Sequence, residues 1–219
     1  MRTNRFASRG PARHPYAGLW ARVAAFAIDY CIIAVYLALV VAVGALVNRA
    51  FPALAQALFG DRSAGQATGF ALVTLPVALY FALLESSAWE ASWGKRRRGL
   101  RVVDTRGARL SRARALGRTA LKFIPWELSH TLIWQLRFDP TARPALITAG
   151  FALVWLLIGA NIASLVLRPS HQTLYDWLAG TYVVAAQEGA TTRRANDRSP
   201  SRRRHGERQA ATDKGAADV

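Results

Sequence analysis

The chain has 219 residues, 52% of them hydrophobic, and a formal net charge of +16 at pH 7. An ordinary soluble domain does not combine these figures, because here apolar residues and arginines occupy separate stretches. Apolar blocks of spanning length flanked by basic clusters indicate an integral membrane protein, and they make nucleic acid a poor partner for the basic charge. The single cysteine, Cys31, lies inside an apolar block, which excludes a disulfide framework and thiol chemistry.

Residues 1–18 form a basic arm, with Arg2, Arg5, Arg9 and Arg13 beside Gly10, Pro11 and Pro15, a composition expected to be disordered. Together with Arg22 it puts five arginines and no acid ahead of the first apolar block, an asymmetry that places the N-terminus in the cytoplasm. That block, expected to span over about 23–47, offers 26 residues between Arg22 and Arg49 with one formal charge, Asp29. About 20 apolar residues suffice for a helix to cross the bilayer core. A carboxylate inside such a run costs about 2.5–3.5 kcal/mol and needs a partner or a watery cavity. Arg22 precedes Asp29 by seven residues. That is two turns and about 10 Å along the axis, too far for a routine direct pair, so each should meet a third group. The small residues of Pro52 to Ala57 resemble a cleavage site, but the preceding run far exceeds the about 7–15 residues of a signal-peptide core, so an uncleaved helix is expected.

The nearly neutral connection from Asn48 to Gln66 suits the outer side. Residues 67–84 carry no charge and give the second span, with Pro76 near its middle expected to kink it. Glu85 ends this span, and Trp89 and Trp93 follow at interfacial depth. From Trp93 to Arg118 there are ten basic residues against one acid, Asp104, so this loop is expected to be cytoplasmic. Within it, Leu100–Asp104 and Ala108–Ser111 flank Thr105, Arg106 and Gly107 and read as a hairpin. Thr181–Ala185 is expected to add a third strand at the membrane surface, since a hairpin alone is marginal. Arg112 to Lys122 reads as a basic helix bound to the membrane surface.

Residues 119–136 are ambiguous between a third span packed on protein and a re-entrant segment, because Lys122, Pro125, Glu127 and His130 interrupt the apolar residues; a full span fits better. Residues 145–167 are free of charge and form a further span, in which Gly159 and Ala163 suit close helix packing beside Asn161. Directly after it, His171 to Val184 places Asp176 near the membrane surface, followed by Gly180 and Thr181. The tail, 187–219, is charged and expected to be disordered.

Taken together these pieces resemble the RDD family of bacterial membrane proteins, named for one arginine and two aspartates. The resemblance runs over roughly residues 16–186 and rests on Arg22 with Ala25, Phe26, Ile28 and Asp29, on Gly94 and Lys95, on Gly99 to Asp104 with Gly107, on Arg118, and on Leu174, Tyr175 and Asp176 followed by Ala179, Gly180 and Thr181. Trp93 and Tyr175 depart from the pattern: a small or aliphatic residue usually precedes the Gly-Lys pair, and histidine is common before the second aspartate. If that histidine carried protons, its absence argues against such a role here. The resemblance implies transport, with sodium–proton exchange proposed for some members, and a multi-pass location in the bacterial inner membrane.

The expected fold is therefore an all-α integral membrane protein with three to four transmembrane helices, four favoured, and a small cytoplasmic β element, the domain covering 19–186. With four spans, Arg22, Asp29, Glu85 and Asp176 lie toward the cytoplasmic half, one arginine among three carboxylates. Arg22 and Asp176 are expected to pair, leaving Asp29 for a more labile partner. Such a cluster could hold a cation or proton in a small exchanger, or act as an ion-pair lock in a non-catalytic module that recruits partners or anionic lipid headgroups through its basic loops. A water-accessible Asp29 favours the exchanger, and a dry, fully paired one favours the module. A homo-oligomer is expected, because four helices enclose little space. No nucleophile–base pair, metal-ligand spacing or phosphate loop points to an enzyme, and no cofactor or metal is implied.

Overall fold

The computed structural model describes residues 16–141 and 143–186. The basic arm through residue 15 and the tail from residue 187 lie outside the described residues. The chain is mostly helical, with three helices or helical runs long and apolar enough to cross a membrane, Leu19–Ala50, Arg62–Glu85 and Pro144–Leu167, and a two-stranded sheet.

Helix α1, Leu19–Ala50, is the apolar block with Asp29 already described, extended at both ends. The connection that follows is more helical than its Gly and Pro content suggests. Pro52 starts α2, Pro52–Phe59, where its fixed φ and missing N–H cost nothing. Asp61 caps α3, Arg62–Gly69, by accepting from the Ala64 N–H at 2.9 Å. Just ahead of Pro76 the second apolar run widens into a π-helical turn, Phe70–Thr74, before continuing as α4, Leu75–Glu85. Pro76 cannot donate to the carbonyl four residues earlier, that of Leu72. Tyr36 of α1 takes that carbonyl instead, donating its hydroxyl at 2.6 Å.

The short α5, Trp93–Arg97, leads into β1, Leu100–Asp104. Next come α6, Arg112–Phe138, α7, Pro144–Leu167, α8, Leu174–Leu178, and β2, Thr181–Ala185. Strands β1 and β2 are antiparallel, in register from Leu100 opposite Ala185 to Asp104 opposite Thr181. Of the three expected strands, Thr181–Ala185 pairs with Leu100–Asp104, but the other arm of the expected hairpin does not form: Ala108–Ser111 contributes a single bridge, Arg109 to Val103. Asp104 explains this, since its carboxylate accepts from the N–H groups of Arg106 and Ala108 and curls the chain into a tight turn. Tyr16 bridges Val184, and the Ala17 N–H donates to Val183, so the segment leading into α1 joins the sheet. Ala25 and Ala82 meet Leu100, Val102 and Val183 in one core, which fixes the starts of α1 and α6 and the end of α4 to a common platform.

The surface helix expected at Arg112–Lys122 and the ambiguous 119–136 piece are one continuous helix, α6, 27 residues long, with Pro125 inside it. It runs beside the second apolar run from end to end. Near the platform Arg118 meets Glu85; midway the Trp126 Nε1 donates to Thr74 at 3.2 Å; beyond, Gln66 donates to Thr131 at 2.8 Å and Arg62 to Gln135. Glycines allow the close approach: a Cβ on Gly65 would stand 2.6 Å from the Trp134 ring, and one on Gly150 of α7 would stand 2.7 Å from Leu132. Gly159, expected to serve close packing, faces open space instead.

Candidate functional site

The platform ends of α1, α4, α6 and α8 converge on two carboxylates. Glu85 ends α4, and Asp176 sits in the first turn of α8, where Thr173 caps the helix by accepting the Asp176 N–H. Both carboxylates are sealed from solvent. A buried carboxylate persists only if paired and hydrogen-bonded, and here the cations come from three elements. Arg118 of α6 lies between the two acids. Its Nη1 donates to Glu85 at 2.5 Å, and its Nε and Nη2 hold Asp176 Oδ1 at 2.8 and 2.7 Å. Arg22 of α1 donates Nη1 to the other Asp176 oxygen at 2.8 Å and Nε to the Ala17 carbonyl at 3.0 Å. Lys95 of α5 takes the remaining Glu85 oxygen. Thr181, at the start of β2, adds its hydroxyl to Asp176 and Arg118. Burial by itself would raise the Asp176 carboxyl, but Arg118 and Arg22 hold it far below the usual carboxylate range. The arrangement ties five elements, α1, α8, α6, α4 and α5, together as alternating charges.

Asp29 stands apart from this network. Its side chain, 1% exposed, accepts from the Tyr80 hydroxyl at 2.7 Å, the Ser92 hydroxyl at 2.5 Å and the Gly94 N–H at 2.7 Å. No cation touches it among the described residues. The contact with Gly94 requires glycine, since a Cβ there would lie 2.1 Å from the Ala25 carbonyl. Gly94 thus lets α5 lie flat on α1 directly over the carboxylate.

Of the residues singled out from the sequence, Arg22, Glu85 and Asp176 meet, and Lys95, Arg118 and Thr181 join them as direct partners. One arginine among three carboxylates was expected. Two arginines and a lysine around two carboxylates are found, with Asp29 in its own polar pocket. Asp104 is elsewhere, building its turn and meeting Arg114 at 3.1 Å. Gly99 and Gly180 hold φ of +63° and +62° at the turns into β1 and β2, which a residue with a Cβ adopts only with strain. Sequence reasoning missed Tyr80 and Ser92. It also gave Arg118 no role, although Ala115, Arg118 and Thr119 share the i, i+3, i+4 spacing of one buried face.

A second polar group lies midway along α6. Glu127 accepts from the Thr74 hydroxyl at the end of the π turn, and its carboxylate is 3.6 Å from His130. Among the described residues no group of three or more His, Cys, Asp or Glu has the arrangement of a metal site.

Comparison with protein families matches residues 16–180 to the RDD family, and the chain belongs to that family. No curated protein matches the chain.

Proposed function

We propose that this RDD-family protein is a four-span, multi-pass protein of the bacterial inner membrane with both termini in the cytoplasm. In this reading its charge network is an ion-pair lock that holds a basic platform against the bilayer. The observation that carries the reading is that the carboxylates of Asp29, Glu85 and Asp176 are buried and each of their oxygens accepts from a donor of the protein itself. Lipid engagement is supported at the platform rim, where guanidinium groups stack on exposed indoles: Arg96 on Trp89 at 4.3 Å, Arg97 on Trp93 at 4.5 Å and Arg168 on Trp177 at 4.7 Å. Indoles favour the headgroup layer and arginines its phosphates.

The fourth span is α6, supported by its pairing with the second apolar run along its whole length. Orientation is supported by charge: the platform side holds five, eleven and nine basic residues in its three segments, against two in each far loop. The tail arginines weigh less because they lie beyond the about 15–20 residues over which the rule acts. In a Cys31→Ala background, cysteines at Ser111 and Ser170 should resist an impermeant reagent in intact cells, and one at Asp61 should react.

Cation or proton exchange is the second reading. Glu127, His130 and Thr74 favour it, because ionisable groups midway along a span are costly and commonly serve ion paths. Flux of sodium, potassium and protons in reconstituted vesicles separates the two. Flux indistinguishable from empty vesicles supports the module; flux abolished by Asp29→Asn or Glu127→Gln establishes exchange and removes the module reading.

A further inference from the structure

Lys122 is the one cation of the charged region that the network does not absorb. It lies four residues beyond Arg118, one helical turn and about 6 Å farther from the platform. Its partners Arg22, Lys95 and Arg118 each hold a carboxylate, whereas Lys122 makes no salt bridge among the described residues. Its ammonium stands 3.3 Å from the centroid of the Phe81 ring, a contact that attracts a cation without neutralising it. Arg22, Lys95, Arg118 and Lys122 make four positive charges against Asp29, Glu85 and Asp176, so the region carries one charge in excess.

Two cavities share Lys122 as a wall. One, about 170 Å³, lies between α1, α4 and α6 and is lined by apolar side chains such as Ile33, Val77 and Phe123. The other, about 430 Å³, lies between α1, α6 and α7. Its polarity is graded. Thr173 and Asn161 stand near the platform, while Val154 and Ile158 line the end away from it, where the Ser129 hydroxyl is taken up by the Pro125 carbonyl at 2.9 Å. Phe26 and Ile162, on opposite rims, are more than half exposed, so the cleft opens sideways toward lipid. A cation with an apolar cavity on either side matches a molecule with one anionic head and two acyl chains.

We propose that Lys122 binds the phosphate of one anionic phospholipid drawn from the platform-side leaflet, with an acyl chain in each cavity. This extends the lipid part of the reading above from the basic rim to a defined internal site. The surface arginines provide the control that separates the two.

The test is native mass spectrometry of the purified, delipidated full chain titrated with phosphatidylglycerol, phosphatidylcholine or palmitate. One phosphatidylglycerol should be retained per chain in preference to the other two. Lys122→Met should weaken that retention about tenfold, the loss of roughly 1.4 kcal/mol of charge-assisted contact, while Lys122→Arg keeps it. Val154→Trp fills the far end of the larger cavity with the lysine intact and should also expel the lipid. Thermal unfolding of each variant, run in parallel, identifies any that fails to fold. A combined Arg96→Gln, Arg97→Gln variant should keep the single tight lipid and lose only weaker ones. Equal retention by wild type and a folded Lys122→Met protein overturns the site. So does a preference for palmitate or phosphatidylcholine, or loss of the tight lipid in the arginine variant.

Discussion

Arg118 grips one oxygen of Asp176 with two nitrogens, Nε at 2.8 Å and Nη2 at 2.7 Å, both side chains sealed from solvent. Its third nitrogen reaches Glu85. A guanidinium presents its donors in a fixed plane, so this one side chain sets the distance between the end of α4 and the start of α8. Asp176→Ala would leave Arg118 buried with Glu85 as its one carboxylate and Arg22 with none. Removing one member of a buried pair typically costs about 3–5 kcal/mol. Arg22→Ala should cost less, because Asp176 keeps Arg118 and the Arg22 side chain already reaches solvent at 10% exposure. The Arg22→Ala, Asp176→Ala double variant should be no worse than Asp176→Ala alone. Folded yield and unfolding midpoints in detergent test the order, and equal effects from the two single variants would show that Arg118 does not depend on Asp176.

The same pair sets the response to acid. The folded Asp176 carboxyl is held far below its unfolded value of about 3.9, so the folded state binds its proton less readily than the unfolded chain. The stabilisation is complete above the unfolded value and is lost as pH falls toward the folded one. The Asp176 contribution should therefore be flat from about pH 8 to about pH 5 and fall only in stronger acid. Comparing unfolding midpoints of wild type and Asp176→Asn across this range isolates it. The gap between them should be constant above about pH 5 and close below it. A gap that closes near neutrality would mean that Asp176 titrates in its ordinary range.

Gly94 carries a steric prediction. A methyl group there would meet the Ala25 carbonyl at 2.1 Å and the Asp29 carboxylate carbon at 2.9 Å, and backbone cannot retreat as a flexible side chain can. Gly94→Ala should lift α5 from α1 and break the Gly94 N–H contact to Asp29. Overpacking of this kind costs about 1–3 kcal/mol. Gly159→Ala, in open space within α7, is the matched control and should leave the unfolding midpoint unchanged or raise it slightly, because alanine is the better helix former. Equal stability of Gly94→Ala and wild type would mean that the close approach of α5 to α1 is wrong.

What the sequence made legible follows from how each residue does its work. Helices α1 and α7 are visible because long uncharged runs have no other stable state in a bilayer, and the pairing of β1 with β2 is visible in Val102, Val103, Val183 and Val184. Helix α6 is not. Its first turns carry Arg112, Arg114 and Arg118, which read alike as surface charges, yet only Arg118 turns to the core. A linear reading counts arginines; rotation about the helix separates them. Asp29 was legible as a carboxylate in need of partners, but its donors Tyr80, Ser92 and Gly94 are neutral and sit 51 to 65 residues away. Nothing in a local pattern marks a hydroxyl or a peptide N–H as a charge partner. The π turn was hidden for a similar reason: Pro76 announces a disturbed helix, but the hydroxyl that meets the Leu72 carbonyl comes from Tyr36, 36 residues away on another helix.

That interface supplies the last prediction. Pro76 leaves the Leu72 carbonyl without its usual donor, and Tyr36 occupies it at 2.6 Å. Interhelical hydrogen bonds in membranes average about 0.6 kcal/mol and reach about 1.7. Tyr36→Phe should fall toward the upper end, because Pro76 cannot supply the N–H that would otherwise serve this carbonyl. Pro76→Ala restores an N–H at position 76, and the helix can then close its own bond to Leu72. In that background Tyr36→Phe should become nearly neutral. A double-mutant cycle on unfolding midpoints reads the coupling directly. Additive effects would show that the tyrosine packs against the second apolar run without serving the carbonyl that the proline frees.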